Sequence, residues 1–187
     1  GYVKVTNSIS GSDPKIEAAA YAKANSSFTV KATYSAAANA NEAVELTYNT
    51  DKTATGSADT AKKVFTFSID TAETNVTLNS IDKVATYTVA APVVKSAGSV
   101  VTGLKGLTVS AVADKTTAKN GETVTVTVTV KGLVEAGGVT LTTDAGNWNG
   151  TASNAMTIAE NTNYVTATQF VYSFAVSGDA TPTITLS

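Results

Sequence analysis

Two antiparallel β-sandwich domains in tandem are what this sequence predicts, and three observations carry the expectation. Apolar residues alternate with hydroxyl residues along much of the chain, most plainly at Thr123-Val124-Thr125-Val126-Thr127-Val128-Thr129-Val130, which sends valines to one face and threonines to the other. Clusters of Gly, Asn, Asp and Ser interrupt these runs at the short intervals that antiparallel strands need. The 187 residues are generous for one sandwich and suit two of about 90 to 100 residues each.

Phe28-Thr29-Val30-Lys31-Ala32-Thr33-Tyr34, Val44-Glu45-Leu46-Thr47-Tyr48 and Val64-Phe65-Thr66-Phe67-Ser68-Ile69 each alternate over a full strand length. Further strands are expected over 84–89, 107–112, 123–130, 139–143, 170–176 and 183–186. Tyr2-Val3-Lys4-Val5-Thr6 is strand-like as well. Glu17-Ala18-Ala19-Ala20-Tyr21-Ala22-Lys23 has high helix propensity, but it is too short to hold a helix unaided, and an irregular strand or a single helical turn is expected there.

An internal repeat supports the tandem reading. Ala22-Lys23-Ala24-Asn25-Ser26-Ser27-Phe28-Thr29-Val30 lies on Ala118-Lys119-Asn120-Gly121-Glu122-Thr123-Val124-Thr125-Val126, an offset of 96 positions. Val76-Thr77-Leu78-Asn79 lies on Ile184-Thr185-Leu186-Ser187 at an offset of 108, so the second domain carries extra loop residues. This gives an N-terminal strand over 1–10, a first domain over 11–91, a linker rich in Pro, Gly and Ser over 92–106 and a second domain over 107–187. Domain one is followed by the strand 84–89, whereas domain two stops at Leu186-Ser187, where that last strand would begin. The opening residues Tyr2, Val3 and Val5 are therefore expected to be free for donation to the groove beside Ile184 and Leu186 of a neighbouring copy.

Composition excludes several functions. There is no Cys and no His, which removes disulfides, thiolate metal sites, cysteine nucleophiles and any Ser/His/Asp triad within the chain. All 13 basic residues are lysines, scattered through a chain of net charge −2, so neither bidentate base readout nor a phosphate-tracking stripe is available and nucleic acid is not an expected partner. No apolar run has the length of a membrane span. The chain opens on Gly1 without a charged-then-apolar leader, as a mature product or an excised piece would.

The only Trp sits in a turn-rich segment, Asp144-Ala145-Gly146-Asn147-Trp148-Asn149-Gly150. Trp148 could stack on a sugar while Asn147 and Asn149 bond its hydroxyls, with Tyr164 as a second aromatic; the competing reading is a Trp folded back as a lid on the end of the core, which is favoured in a domain poor in large side chains. Asp144, Asn147 and Asn149 supply oxygens for calcium, but one carboxylate at non-EF-hand spacing favours a solvated turn, and no cofactor is expected. Glu42 and Glu45 are three apart on a strand and diverge, while Asp114, Glu122, Glu135, Glu160 and Asp179 stand alone, so no catalytic pair is expected.

The stretch Leu107 to Ser187 resembles bacterial immunoglobulin-like repeats of the invasin and surface-layer type, through the turn Lys119-Asn120-Gly121-Glu122 feeding a Thr/Val strand and the turn Thr142-Thr143-Asp144-Ala145-Gly146. The strand Gly121-Glu122-Thr123-Val124-Thr125-Val126 is also similar in style to cohesin-type and carbohydrate-binding sandwiches. The first resemblance implies two immunoglobulin-like domains in a non-enzymatic module of the bacterial cell surface: a surface-layer, stalk or filament subunit whose partners are copies of itself or neighbouring repeats. The second implies an extracellular polysaccharide-binding module using Trp148. The Thr-, Ala-, Val- and Asn-rich composition resembles that of secreted bacterial surface proteins.

Overall fold

The computed structural model describes residues 1–96 and 106–187, and these are almost wholly β. They fall into two compact units, Gly1–Ala85 and Thr86–Ser187. Among the described residues no helix is long and apolar enough to cross a membrane.

The strands of the first unit are β1 (Tyr2–Asn7), β2 (Lys15–Ala18), β3 (Tyr21–Lys23), β4 (Ser26–Thr33), β5 (Glu42–Tyr48), β6 (Lys52–Thr55), β7 (Ser57–Ala58), β8 (Val64–Thr71) and β9 (Val76–Thr88). One sheet runs β3-β1-β9-β5-β6 and the other β2-β4-β8-β7. Alternation decides which side chains fill the core. Phe65, Phe67 and Ile69 turn inward between exposed Thr66 and Ser68, and Val44 and Leu46 do so on β5. They share one core with Val3, Val5, Val30, Val76 and Leu78. Each such burial stabilises by about 1.5–3 kcal/mol relative to exposure.

Residues 1–10 do not stand apart from this unit, contrary to the expectation of a spare strand. Tyr2, Val3 and Lys4 pair antiparallel with Lys23, Ala22 and Tyr21, and Val5, Thr6 and Asn7 then pair parallel with Val76, Thr77 and Leu78. The Val5 N–H donates to Ala20 O (2.9 Å) and the Ser8 N–H to Leu78 O (2.9 Å). Val3 and Val5 are buried, so withdrawing the strand would open the core that it lines. The same pairing settles the segment of high helix propensity. It becomes β2 and β3, because β1 and β4 offer ladders that outweigh a few tenths of a kcal/mol per residue of helix preference.

The stretch read as a separate completing strand over 84–89 is the end of a single strand. β9 pairs with β5 from Leu78 to Ala85, and its last residues, Thr86 to Thr88, belong to the second unit.

The second unit adds β10 (Val93–Ser96), β11 (Leu107–Ala113), β12 (Thr117–Lys119), β13 (Thr123–Leu133), β14 (Val139–Thr143), β15 (Asn147–Trp148), β16 (Ala155–Ile158), β17 (Asn163–Ala175) and β18 (Thr183–Leu186). Its sheets run β10-β18-β14-β16 and β11-β13-β17-β15. Val124, Val126, Val128 and Val130 are fully buried, while Thr125, Thr127 and Thr129 on the other face keep contact with solvent. Gly146 closes the Thr-Thr-Asp-x-Gly turn at φ +77°, where a Cβ would clash with Ser173 O; no other residue fits without moving β17.

Both units use one pairing scheme. Thr86, Tyr87 and Thr88 pair with Lys119, Ala118 and Thr117 as Tyr2, Val3 and Lys4 pair with Lys23, Ala22 and Tyr21. β10 runs parallel to β18, and β18 pairs with β14, as β1 runs parallel to β9 and β9 pairs with β5. The expected gap at the end of domain two is therefore corrected: Ile184 and Leu186 are buried with strands on both sides, and the extra stretch after domain one opens the following unit. Of the expected linker over 92–106, Val93–Ser96 forms β10, Gly106 adjoins β11, and residues 97–105 lie outside the described residues.

Candidate functional site

Trp148 is a core residue, 2% exposed. Its Nε1–H points to two carbonyls, Leu141 O (3.2 Å) and Asn154 O (3.1 Å), and its ring meets Tyr172 edge-on with centroids 5.2 Å apart. Backbone bonds from Trp148 N to Ser153 O and from Asn149 N to Val171 O hold the segment down. An indole held in this way closes the space between the sheets and leaves 2% of its surface exposed, too little for a sugar ring to stack on. Asn147 and Asn149 flank it, exposed, and a cleft of about 260 Å³ is lined in part by Trp148, Asn149, Thr151, Met156 and Phe170.

The other residues grouped with Trp148 in the sequence do not converge on it. Tyr164 packs edge-on against Phe170 (6.0 Å) and pairs with Gly132, whereas Tyr172, opposite Trp148, pairs with Val126. Those two positions of β13 are about 20 Å apart along the strand. Asp144 is engaged elsewhere: its Oδ1 accepts the Thr183 N–H (2.9 Å), fastening the start of β18 in one sheet, while Asn147 and Asn149 flank Trp148 of β15 in the other. Among the described residues no three or more His, Cys, Asp or Glu side chains are gathered as a metal cluster.

Four of the isolated acids each hold a backbone amide. Asp114 Oδ1 accepts the Thr125 N–H (2.9 Å), Glu122 Oε2 the Lys119 N–H (2.8 Å), Glu160 Oε2 the Gly137 N–H (2.9 Å) and Asp179 Oδ1 the Thr88 N–H (2.9 Å). The bond from Thr125 N–H, with a second from Lys115, holds the Asp114 carboxyl below the ordinary carboxylate range. Glu42 likewise accepts the Asn39 N–H through Oε1 (2.8 Å). A carboxylate tied to a backbone amide gains order, and the bond to its charged form makes it a weaker base.

One polar atom in the second core is not accounted for in this way. Tyr172 is fully buried and its hydroxyl has no hydrogen-bond partner among the described residues. Burial, with a smaller push from the Asp144 carboxylate, raises its phenol well above the ordinary value. In the first unit the matching position, opposite Val30 as Tyr172 is opposite Val126, holds Phe67. Tyr172→Phe is therefore expected to raise the stability of the second unit by on the order of 1 kcal/mol, since a desolvated and unpaired hydroxyl is removed without changing the ring. Urea denaturation followed through Trp148 fluorescence checks this, and a fall in the midpoint would show that the hydroxyl is satisfied.

Four of the five assembly residues proposed from the sequence are structural. Val3, Val5, Ile184 and Leu186 are core, and only Tyr2 is exposed. What the sequence reading missed lies beside Tyr2. Tyr21, on β3, is also exposed on the same sheet, and the pair is accompanied by Lys4 and Lys23. The signal for β1 was present in the alternation Tyr2-Val3-Lys4-Val5, which sends Tyr2 outward if Val3 points in; the pairing with β3 was not readable from it.

Comparison of the chain with protein-family models, with curated proteins and with solved structures finds no match in any of the three.

Proposed function

We propose that the chain is a non-enzymatic structural module of a bacterial cell-surface protein, built of immunoglobulin-like repeats that serve as a stalk, lattice or filament subunit and work beside neighbouring repeats or further copies. The observation that carries this reading is the parallel pairing of first and last strands in both units, Val5–Asn7 with Val76–Leu78 and Val93–Ser96 with Thr183–Leu186. In a parallel pair the incoming and outgoing chain leave from opposite ends of the ladder. Tension along the chain then shears all the rungs together, whereas an antiparallel pair of first and last strands would unzip one rung at a time. Carboxylates committed to backbone amides of β13 and β18, and a second core closed by Trp148 and the valine row, suit the same role. Donation of residues 1–10 is no part of this proposal, since that strand lines its own core.

Single-molecule stretching from both ends tests it. Two separate unfolding events that resist force are expected. Ser8→Pro removes the bond to Leu78 O and should lower the force of the first unit, and Val93→Pro removes the bond to Pro182 O (2.8 Å) and should lower that of the second. Unfolding at negligible force, or forces indifferent to both substitutions, would refute the tension-bearing role.

A further inference from the structure

We propose that the outer face of the β1–β3 pair in the first unit is a binding surface for an acidic polysaccharide, with sugar rings lying on Tyr2 and Tyr21 and their carboxylates met by Lys4 and Lys23. This is independent of the tension-bearing role, as it concerns a face that the fold does not use.

The register makes the patch. Tyr2 stands opposite Lys23 and Lys4 opposite Tyr21, while Val3 and Ala22 between them point into the core. Each tyrosine thus has one lysine across the ladder and another two residues along its own strand. The two rings are diagonal neighbours, roughly 7–8 Å apart at the backbone. Tyr2 is 77% exposed and Tyr21 63%, which makes them the two most exposed aromatic side chains among the described residues.

Among the described residues no side-chain hydrogen bond or ion pair engages these four side chains. Lys15 and Lys31 pair with Glu17, and Lys115 pairs with Asp114, away from this patch. The cation–π contact is Lys83 over Tyr34, and the neighbouring Glu73 accepts from Asn25. The second unit supplies an internal control. At the same register around Tyr87 and Ala118 it carries Thr86, Thr88, Thr117 and Lys119, so the fold is satisfied by threonine at three of the four positions. Adjacent large rings left in water are the kind of feature that marks an interaction surface.

The chemistry selects the partner. Tyrosine offers a rigid flat apolar face and a hydroxyl at low entropic cost, which suits the C–H face and hydroxyls of a pyranose. Lysine ammonium groups are point charges that pair with carboxylates without a demand on geometry. An open, slightly twisted sheet face suits an extended polymer and not an enclosed small molecule. In a chain of net charge −2, two unpaired lysines beside two rings favour a polyanion of sugars, a polyuronate.

Affinity electrophoresis and calorimetry with polygalacturonate test this, with a neutral glucan, polyglutamate and anionic phospholipid vesicles as comparisons. The variants borrow the residues of the second unit, Tyr2→Thr with Tyr21→Thr in one protein and Lys4→Thr in another, and unchanged thermal melting verifies that each folds. Polygalacturonate is expected to bind in preference to the other three. The tyrosine variant should lose about tenfold or more in affinity, and Lys4→Thr should weaken binding and flatten its salt dependence. Failure of the unaltered protein to bind, equal binding of polyglutamate or of vesicles, or a tyrosine variant that binds as well as the parent would each overturn the proposal. None of these outcomes bears on the stretching experiment.

Discussion

Val126→Asp is expected to unfold the second unit while leaving the first folded. Val126 is fully buried on the central strand β13, between Val124 and Val128 on the same face and paired with Tyr172. A carboxylate there has no cation or amide to meet it, and the cost of burying it unpaired, several kcal/mol, takes up much or all of the stability that a small domain possesses. The only Trp makes the result easy to read, because Trp148 lies in the affected core: its emission should shift to that of an exposed indole in the absence of denaturant. Tyrosine-detected melting should still show the cooperative transition of the first unit. Thr127→Lys, one residue along and on the outer face, should shift the midpoint by less than about 0.5 kcal/mol. Equal damage from both would mean that the register is wrong, because a slip by one residue exchanges the faces of the entire row.

Trp148→Ala should cost the second unit about 3–5 kcal/mol. The ring is 2% exposed and packs on Tyr172, and its removal also leaves Leu141 O and Asn154 O without their shared donor. Circular dichroism in urea, which does not need the indole, measures the loss. A substitution with no effect on the midpoint would mean that the side chain is a surface platform after all. Trp148→Phe should recover part of the packing but not the bond to the carbonyls, which separates the two contributions.

These two residues mark how much could be read directly. The valine row was legible because period-2 alternation over eight residues admits one structure with one dry face, and the observed burial follows it residue by residue. Trp148 was legible only as a choice. A Trp between two Asn residues in a turn is compatible with a sugar platform or a core lid, and the decision lay in β15 pairing with β17, a partner more than twenty positions away in sequence. The oxygen-rich residues around it were misleading for the same reason. Asp144, Asn147 and Asn149 are near in sequence, yet Asp144 is bonded to β18 while Trp148 and its flanking residues follow β17.

By itself the sequence determined the β class, the inward and outward faces of the long strands, the repeated stretch from Ala22 to Val30 and the absence of thiol and imidazole chemistry, because each follows from residue identity or from local period. Only the tertiary structure decided where one unit ends and the next begins. The end of β9 and the start of the second unit form one uninterrupted strand, and an alternating pattern carries no mark at the point where its partner changes from β5 to β12. The same holds for β1. Its alternation declared a strand with a buried face, but whether that face closed its own core or a neighbour's depended on a parallel pairing with β9 some 70 residues later, Val5 with Val76, which no local property of either segment encodes.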